Sequence, residues 1–441
     1  MTRSEPSPPA DSGTHVIPRQ FMTAESPGIG GVIKQRPEDF LVDEIPQYTP
    51  SGEGEHIYLT LTKRGLSTME MVEILARHFG VKRSAIGYAG LKDKHAITRQ
   101  MVSVHVPGKK IEHFPELRND RIEIVGADYH ANKLRPGHLR GNRFSIRIRS
   151  VKPTDVLTAD RVLRRLAKVG VPNRVGEQRF GMLENNHLVG RSLVVGDFDA
   201  AVRELLGANA AHPEINTEAR TLFDEGKYKE AVDLYPRSAR TEQRVLYRLS
   251  QGASARQAML SLDEPILRYY FSAFQSAVFN AVLDDRIAQN SLATLAVGDL
   301  AIKHDNLAVF AVDDAVAADP TTAERLARFE ISPSGPMWGA SMMRATGPTA
   351  EREERILATF GVTPAQLELF DSKSPFALDG KRRPLRVPVI DPEVEGGVDE
   401  HGPYVRCAFE LPKGSFATVV LREVMKPAPT ATKSGEWEEV G

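Results

Sequence analysis

Asp93 is the residue whose surroundings most suggest chemistry, because it is the only carboxylate in a long stretch of positive charge. The window 81–110 contains seven lysines and arginines and no other acidic side chain. Asp93 lies between Lys92 and Lys94, just after a turn at 88–91 that contains a glycine. Backbone at a glycine can approach a ligand closely, and the surrounding cations would attract a polyanion.

A lone carboxylate in a cleft that attracts phosphate makes chemical sense when it acts on a sugar or a base. A carboxylate can attack or stabilise an electron-deficient C1′ atom, as in glycoside hydrolysis. No carboxylate partner accompanies Asp93 in its window. A base that leaves as a resonance-stabilised anion would need less acid assistance. The residues alone leave two other functions open, an RNA-binding module without catalysis and a glycosidase-like hydrolase that acts on nucleosides.

A second basic block follows at residues 130–150, which contain no acid. The net charge of the chain is −1, so a polyanion-binding face must come from the distribution of charge rather than its total. Two basic blocks in one region indicate such a face, and we expect both to line one cleft. The cations of the second block are Lys133, Arg135, Arg140, Arg143, Arg147 and Arg149.

Strands before residue 150 are indicated by alternating side chains. Residues 56–64 alternate in this way, and in 143–150 the apolar residues Phe144, Ile146 and Ile148 would face a core while the arginines between them face outward. One helix interrupts these strands. Ser67 and Glu70 have the spacing of a capping box and Gly80 supplies a stop.

The rest of the chain reads as helices followed by strands. Residues 155–290 are mainly helical in pattern, and 298–314 resemble a hairpin that turns at 304–306. Residues 404–414 alternate again, and a helix is expected over 415–425. This order predicts an α+β protein whose last strands complete a sheet begun before residue 150.

Composition excludes several classes of protein. The single cysteine, Cys407, excludes an internal disulfide and a Cys-based zinc cluster, and the histidine spacing predicts no metal site. No apolar run reaches the roughly 20 residues of a membrane span, and the N-terminus lacks the apolar region of a secretory signal. We therefore expect a cytoplasmic protein with a disordered leader at 1–25 and a disordered tail at 427–441.

Six stretches of the sequence resemble motifs of one known family. The Asp93 stretch, YAGLKDKHAITRQ, is similar to the active-site motif of the tRNA pseudouridine synthase D family, and the other five follow that family's order. They are KQRPEDFLVDEI (34–45), SGEGEHIYLTLTKRG (51–65), LRGNRFSIRIR (139–149), GVPNRVGEQRFG (170–181) and LPKGSFATVVLRE (411–423). Residues 182–400 match only loosely.

The resemblance implies isomerisation of uridine to pseudouridine, at uridine 13 of tRNA, without a cofactor. It implies tRNA as the partner, and we expect a monomer with no obligatory protein partner. The implied fold is a pseudouridine synthase catalytic domain with a mixed, mostly antiparallel sheet, split by an inserted α+β domain. The boundaries are 26–169 and 387–426 for the catalytic domain and 170–386 for the insertion.

The resemblance also implies roles for individual residues. Asp93 would be the catalytic carboxylate, and Phe40, Asn142 and Phe416 would contact the substrate. One departure is the pair Arg174-Val175, where family members often have aromatic residues. The expected RNA-binding residues are Lys92, Lys94, Arg143, Arg147 and Arg149.

Overall fold

The chain is seen in a computed structural model that describes residues 20–236, 238–373 and 378–426. The predicted tail and residues 1–19 of the predicted leader lie outside these ranges. Residues 20–25 of that leader are described, and Thr23 is fully buried. Packed chain therefore begins before the predicted boundary at residue 26.

Strands and helices within the described residues have the following bounds. The strands are β1 (Phe40–Pro46), β2 (His56–Arg64), β3 (Ile86–Tyr88), β4 (Ile97–His105), β5 (Ile122–His130), β6 (Leu139–Arg149), β7 (Val171–Pro172), β8 (Leu300–Lys303), β9 (Val309–Ala311), β10 (Ile331–Met337), β11 (Lys381–Pro384), β12 (Arg386–Val387), β13 (Ile390–Asp399) and β14 (Gly402–Pro412). The helices are α1 (Thr68–Phe79), α2 (Val156–Val169), α3 (Asn186–Val195), α4 (Phe198–Leu206), α5 (Thr217–Asp224), α6 (Tyr228–Leu234), α7 (Arg240–Ser250), α8 (Ala255–Met259), α9 (Glu264–Ala288), α10 (Asp314–Ala318), α11 (Pro320–Ala327), α12 (Gly347–Thr359), α13 (Pro364–Lys373) and α14 (Ala417–Met425).

An eight-stranded sheet forms the body that corresponds to the predicted catalytic domain and is called here the catalytic body, in the order β13-β14-β6-β1-β4-β2-β5 with β3 beside β4. The β1–β4 pair is parallel, and the other pairs of this sheet are antiparallel. The C-terminal strand β14 pairs directly with β6, which confirms that the last strands complete the first sheet. The prediction of an α+β fold with a mixed, mostly antiparallel sheet is therefore confirmed.

One face of this sheet, called here the inner face, carries two apolar clusters. The first lies under α1 and contains residues of β2 and β4 such as Leu61 and Val102. The second lies under α2 and α14 and contains residues of β1, β6 and β14 such as Phe144 and Phe409. Polar side chains lie where the two clusters meet, on the central strands. They are Lys63 of β2, Thr98 and Gln100 of β4, Glu44 of β1 and Asn142 of β6.

The chain leaves the sheet at β7 and returns at β12, and these two short strands pair antiparallel with Val171 opposite Val387. Between them lies an inserted body with its own apolar core around α9 and a four-stranded sheet, β11-β10-β8-β9. The chain therefore enters and leaves this body side by side. No helix in the described ranges is both long enough and apolar enough to cross a membrane.

Candidate active site

Asp93 lies in the loop between β3 and β4, and its backbone carbonyl helps to fasten this loop. The Asp93 carbonyl accepts a hydrogen bond from the Lys63 ammonium at 2.8 Å, and Oδ1 accepts one from the His95 N–H at 3.0 Å. Oδ2 forms an ion pair with Lys34. The Asp93 side chain is 25% exposed, so the carboxylate is fixed in direction and still open to solvent.

Lys63 is a fully buried lysine of β2 that supports the Asp93 loop from below. It donates to the Leu66 carbonyl as well as to the Asp93 carbonyl. Burial lowers the pKa of Lys63 to about 8, with the nearby Asp93 carboxylate opposing this change. The ammonium offsets the cost of its burial by donating to two backbone oxygens, that of Leu66 before α1 and that of Asp93 in the loop.

Lys92 is buried and serves two side chains of the central strands. Its ammonium lies 2.7 Å from Glu44 Oε2 and 2.7 Å from Asn142 Oδ1, and its backbone N–H donates to Thr68 at 2.8 Å. The Lys92 side chain is only 5% exposed. The geometry therefore does not present Lys92 to a phosphate, because its charge is already matched by a buried carboxylate.

The contact with Lys92 also determines which way the Asn142 amide points. An ammonium can only donate, so the oxygen of the Asn142 amide must face Lys92. The NH₂ group then points away from Lys92, and among the described residues it has no hydrogen-bond partner. A donor in this position can bind a carbonyl oxygen of a pyrimidine.

Phe40 is buried in the apolar cluster beneath α14, with 4% of its surface exposed. Its ring packs edge-on against Phe144, with centroids 6.5 Å apart. The Lys34 ammonium lies 4.9 Å above the ring and pairs with Asp93 at the same time. Phe40 is therefore next to the site but covered by Lys34, so a base could reach its ring only after Lys34 moves.

Phe416, which was predicted to contact the substrate, is 48% exposed. It is the N-cap residue of α14 and follows the end of β14, where Leu411 is paired with Asn142 of β6. A shallow surface pocket, open to solvent, adjoins it. Pro172 and Arg174 line the opposite side of this pocket, so it lies between α14 and the segment that leads into the inserted body.

Three arginines of β6, Arg143, Arg147 and Arg149, lie on the outer face of the sheet, opposite Asn142, because successive residues of a strand point to opposite faces. Each is paired with a carboxylate there, and Arg149 is itself buried. Hydrogen bonds from Arg149 hold the pKa of Asp399 well below its ordinary value. The pairs are Arg143 with Glu393 and Glu410, Arg147 with Asp399, and Arg149 with Asp39 and Asp399.

This placement separates Arg143, Arg147 and Arg149 from the first basic block, with which they were expected to line one cleft, whereas Lys133 of the second block donates to the Ser84 carbonyl in the first at 2.6 Å. Lys94 stays near Asp93, 44% exposed and 3.6 Å from Glu70. Two further cations lie at the paired ends of β6 and β14 close to Asn142. Arg140 is exposed, and its carbonyl accepts from the Lys413 N–H. Arg140 and Lys413 therefore lie on the same side of the sheet as Asn142, whereas Arg143, Arg147 and Arg149 do not.

The sequence analysis assigns no role to three residues of the site, Lys34, Glu44 and Lys63. They act through contacts with distant parts of the chain, and charge alone does not reveal such contacts. The available signal is that all three lie in family-like motifs, Lys34 and Glu44 in 34–45 and Lys63 in 51–65. Within the described residues, no three His, Cys, Asp or Glu side chains are grouped so that they could hold a metal ion.

Comparisons with known proteins agree on one family. A family model described as tRNA pseudouridine synthase D (TruD) matches residues 17–424. The tRNA pseudouridine synthase D of Syntrophotalea carbinolica is 43% identical over 408 residues, covering 92% of this chain and 98% of its own. That of Thermus thermophilus is 36% identical over 407 residues, covering 92% of each chain. A crystal structure assigned as tRNA pseudouridine synthase D from Methanosarcina mazei superimposes with a TM-score of 0.80 at 28% identity, covering 93% of this chain and 96% of that chain.

Proposed function

The chain belongs to the tRNA pseudouridine synthase D family, and from this premise we propose that it converts uridine 13 of tRNA to pseudouridine with Asp93 as the catalytic carboxylate. The observation that carries the proposal is the placement of Asp93. Its loop is fastened through the backbone carbonyl, while a quarter of its side chain remains exposed to solvent.

The reaction requires the target nucleotide to leave its stack, because a protein cannot reach C1′ of a stacked nucleoside. The N1–C1′ bond breaks and its electron pair leaves with the uracil. The base then turns, C5 bonds to C1′, the proton on C5 is lost, and N1 gains a proton. Attack at C1′, formation of a glycal and addition to C6 are three routes to this product, and each uses a single carboxylate such as Asp93.

Asn142 and Phe416 are the residues we assign to recognition of the flipped uracil. The NH₂ group of Asn142, oriented by Lys92, donates to a uracil carbonyl. The exposed ring of Phe416 stacks on the base, a contact worth about 1–3 kcal/mol. Phe40 forms the floor beneath Lys34, and it contacts the base directly only when the Lys34 ammonium moves aside.

The RNA backbone is held by exposed cations around this opening. They include Lys94, which follows Asp93 in the chain, and Arg140 and Lys413, which lie at the paired ends of β6 and β14 beside Asn142. Lys92 becomes a positioning residue for Asn142 rather than a phosphate contact, since its charge is matched by Glu44. RNA binding by Arg143, Arg147 and Arg149 stays a prediction for which the outer-face pairing offers no support.

The test is the variant Asp93→Asn, which removes the charge and retains the size of the side chain. We expect single-turnover tritium release from C5-labelled uridine in tRNA to fall by on the order of 10⁴-fold or more. Binding of tRNA in a filter assay should be retained or tightened, because a negative charge has left a cationic region. Position-resolved mapping of pseudouridine in the product identifies the site that the parent enzyme modifies.

Asp43→Asn is the matched control. Asp43 is an exposed aspartate on the outer face that lies 3.7 Å from Arg99, so its loss should leave tritium release unchanged. Near-normal release by Asp93→Asn would overturn the assignment. Free uracil in the parent reaction would indicate a nucleoside hydrolase, and binding without either product would indicate an RNA-binding module.

A further inference from the structure

Residues 20–26, called here the strap, contact both bodies of the molecule. Met22 packs against the core of the inserted body and against the cluster beneath α14. The Gln20 N–H donates to Asp284 of α9 at 2.9 Å, and the Met22 N–H donates to Glu423 of α14 at 3.0 Å. The strap is therefore a third link between the bodies, in addition to the two chain crossings at β7 and β12.

Glu423 anchors the strap to the catalytic body. Glu423 is 1% exposed. Its carboxylate also accepts hydrogen bonds from the Thr23 N–H at 3.1 Å and from the Thr23 hydroxyl at 2.8 Å. The Lys426 ammonium donates to the carbonyls of Thr23 and Ser26. A buried carboxylate with three donors from one segment is stable only while that segment stays in place.

Asp284 anchors the strap to the inserted body. Its carboxylate accepts the Gln20 N–H and pairs with the Arg174 guanidinium, with one nitrogen at 3.0 Å. Asp284 is 4% exposed and Arg174 is 8% exposed, so each charge depends on the other. This gives Arg174, which departs from the aromatic residues often found there, a definite set of partners.

The two anchors lead to opposite walls of the pocket beside Phe416. Glu423 lies on α14, and the other end of α14 carries Phe416 and Val419, which form one wall. Asp284 holds Arg174, which forms part of the other wall. We infer that the strap sets the width of this pocket, and that Asp284, Arg174 and Glu423 are positioning residues for the substrate that contacts Phe416.

Two consequences of this inference can be measured separately. The strap should hold the two bodies at a fixed separation even without RNA, and this consequence is independent of the reaction. The strap should also keep the pocket ready for RNA, and this consequence rests on the proposed function. Loosening the strap should weaken substrate binding more than it slows the chemical step at Asp93, since none of the contacts described for Asp93 involves the strap.

The separation can be measured with spin labels on Leu157→Cys and Tyr247→Cys. Leu157 is 72% exposed on α2 of the catalytic body, and Tyr247 is 57% exposed on α7 of the inserted body. Burial raises the pKa of the native thiol, Cys407, to about 12, so labels go to the introduced cysteines. In full-length protein without RNA, Asp284→Asn and Glu423→Gln should each broaden the distance distribution relative to the parent.

Glu353→Gln is the matched control for these two variants. Glu353 is a buried carboxylate of the inserted body that pairs with Arg382 at 2.6 Å, and both of its carboxylate oxygens accept hydrogen bonds from Arg382 rather than from the strap or the pocket wall. This variant should lower the melting temperature as the strap variants do. It should leave both the distance distribution and the KM for tRNA at the parent values.

In the kinetic experiment we expect the KM for tRNA to rise about tenfold in Asp284→Asn and Glu423→Gln while kcat changes less than about threefold. Parent-like distances and KM, with only the melting temperature lowered as in Glu353→Gln, would overturn the inference. If the parent protein makes no pseudouridine, the proposed function is refuted. A broadened distance distribution in the strap variants would in that case still support the role of the strap in holding the two bodies.

Discussion

At the residue scale, the backbone and the side chain of Asp93 are held by different lysines. Lys63 binds the backbone carbonyl from the buried side, and Lys34 meets the carboxylate from the open side. The loop can therefore stay fixed while the carboxylate exchanges Lys34 for a substrate. A loop held through its carboxylate alone would lose its anchor at the moment of reaction.

Lys63 gives a prediction about pH. Its pKa is about 8 in the folded protein and 10.5 in its ordinary environment. Between these values the unfolded chain binds the proton more tightly, so stability from Lys63 increases as the pH rises from 8 to 10.5 and is lost as it falls. Relative to Lys63→Met, the parent should gain about 3 kcal/mol in unfolding free energy over this range.

Urea unfolding of both proteins at about pH 7 and about pH 10 measures this difference. Comparison with Lys63→Met cancels the effect of groups that titrate in both proteins. A difference that does not change with pH would mean that Lys63 titrates as an ordinary lysine.

Lys92 gives a prediction that separates stability from activity. Lys92→Met leaves the buried carboxylate of Glu44 unpaired, so we expect a loss of about 3–5 kcal/mol in unfolding free energy. The double variant Lys92→Met/Glu44→Gln should recover much of this loss. It should still turn over at least about tenfold more slowly, because nothing then orients the Asn142 amide.

Lys94→Met is the matched control on the other side of Asp93. Lys94 is 44% exposed and its nearest acid is 3.6 Å away, so stability should change by less than about 1 kcal/mol. Full activity in the double variant would show that Lys92 does not position Asn142. Denaturant titration and single-turnover tritium release provide the two measurements.

The sequence predicts residue types at the site better than it predicts their roles. Asp93 and its flanking lysines stand out by charge alone, but burial makes Lys92 a partner of Glu44 and leaves Lys94 exposed. Which lysine turns inward depends on packing against strands far away in the chain. Phe40 and Phe416 are likewise both aromatic residues in family-like motifs, and the sequence does not indicate that the ring of Phe40 is buried while that of Phe416 is exposed.

At the element scale, the alternation of β6 decides what its arginines can reach. The prediction that Phe144, Ile146 and Ile148 face a core is confirmed. The same alternation that places these residues inward sends the arginines between them to the outer face, away from Asn142. The carboxylates that meet the arginines there come largely from β13 and β14, some 250 positions later, and local pattern cannot reveal such partners.

Salt dependence of RNA binding tests this assignment. We expect Arg147→Ala to leave the slope of log affinity against log salt unchanged, because its guanidinium is engaged by Asp399. The double variant Arg140→Ala/Lys413→Ala should make the slope shallower by the amount that corresponds to the loss of about one to two phosphate contacts. Filter binding over a series of salt concentrations measures both, and a flatter slope for Arg147→Ala would place it against RNA after all.

Local signals predict several elements well. The capping box of Ser67 and Glu70 and the stop at Gly80 are all present at the ends of α1, where Gly80 has a φ of 64°. The hairpin predicted over 298–314 forms as β8 and β9, with the turn at 304–306 between them. These features depend on neighbours in sequence, so the sequence contains enough information to predict them.

At the scale of the whole molecule, the inserted body is joined to the sheet at a closed junction. Val171 and Val387 lie opposite each other, so replacing residues 175–383 with a short flexible linker should leave the eight-stranded sheet able to form. We expect the shortened protein to retain cooperative unfolding and to lose discrimination among tRNAs. Pseudouridine mapping with a mixture of tRNAs measures this, and selective modification by the shortened protein would assign recognition to the sheet alone.

The strap is a part of the whole molecule that amino-acid composition did not predict to be ordered. A segment rich in proline, serine and charge indicates disorder, yet residues 20–26 at its end supply donors to two buried carboxylates. Those carboxylates, Asp284 and Glu423, are separated from the strap by most of the chain. Their relation to it depends on the assembled fold, which a pattern of neighbouring residues does not specify.

The pairing of β6 with β14 has a consequence for how the protein is made. Arg149 and Gly402 are 253 positions apart, so at about 5–20 residues per second a ribosome needs roughly 10–50 s to deliver the partner of β6. During that time β6 is an open edge, which invites pairing with other chains. Arg143, Arg147 and Arg149 then repel a second copy of the same strand, and the acidic partners that arrive with β13 and β14 neutralise them. We therefore expect the charged face of β6 to disfavour aggregation of the nascent chain before its ion pairs form in the finished sheet.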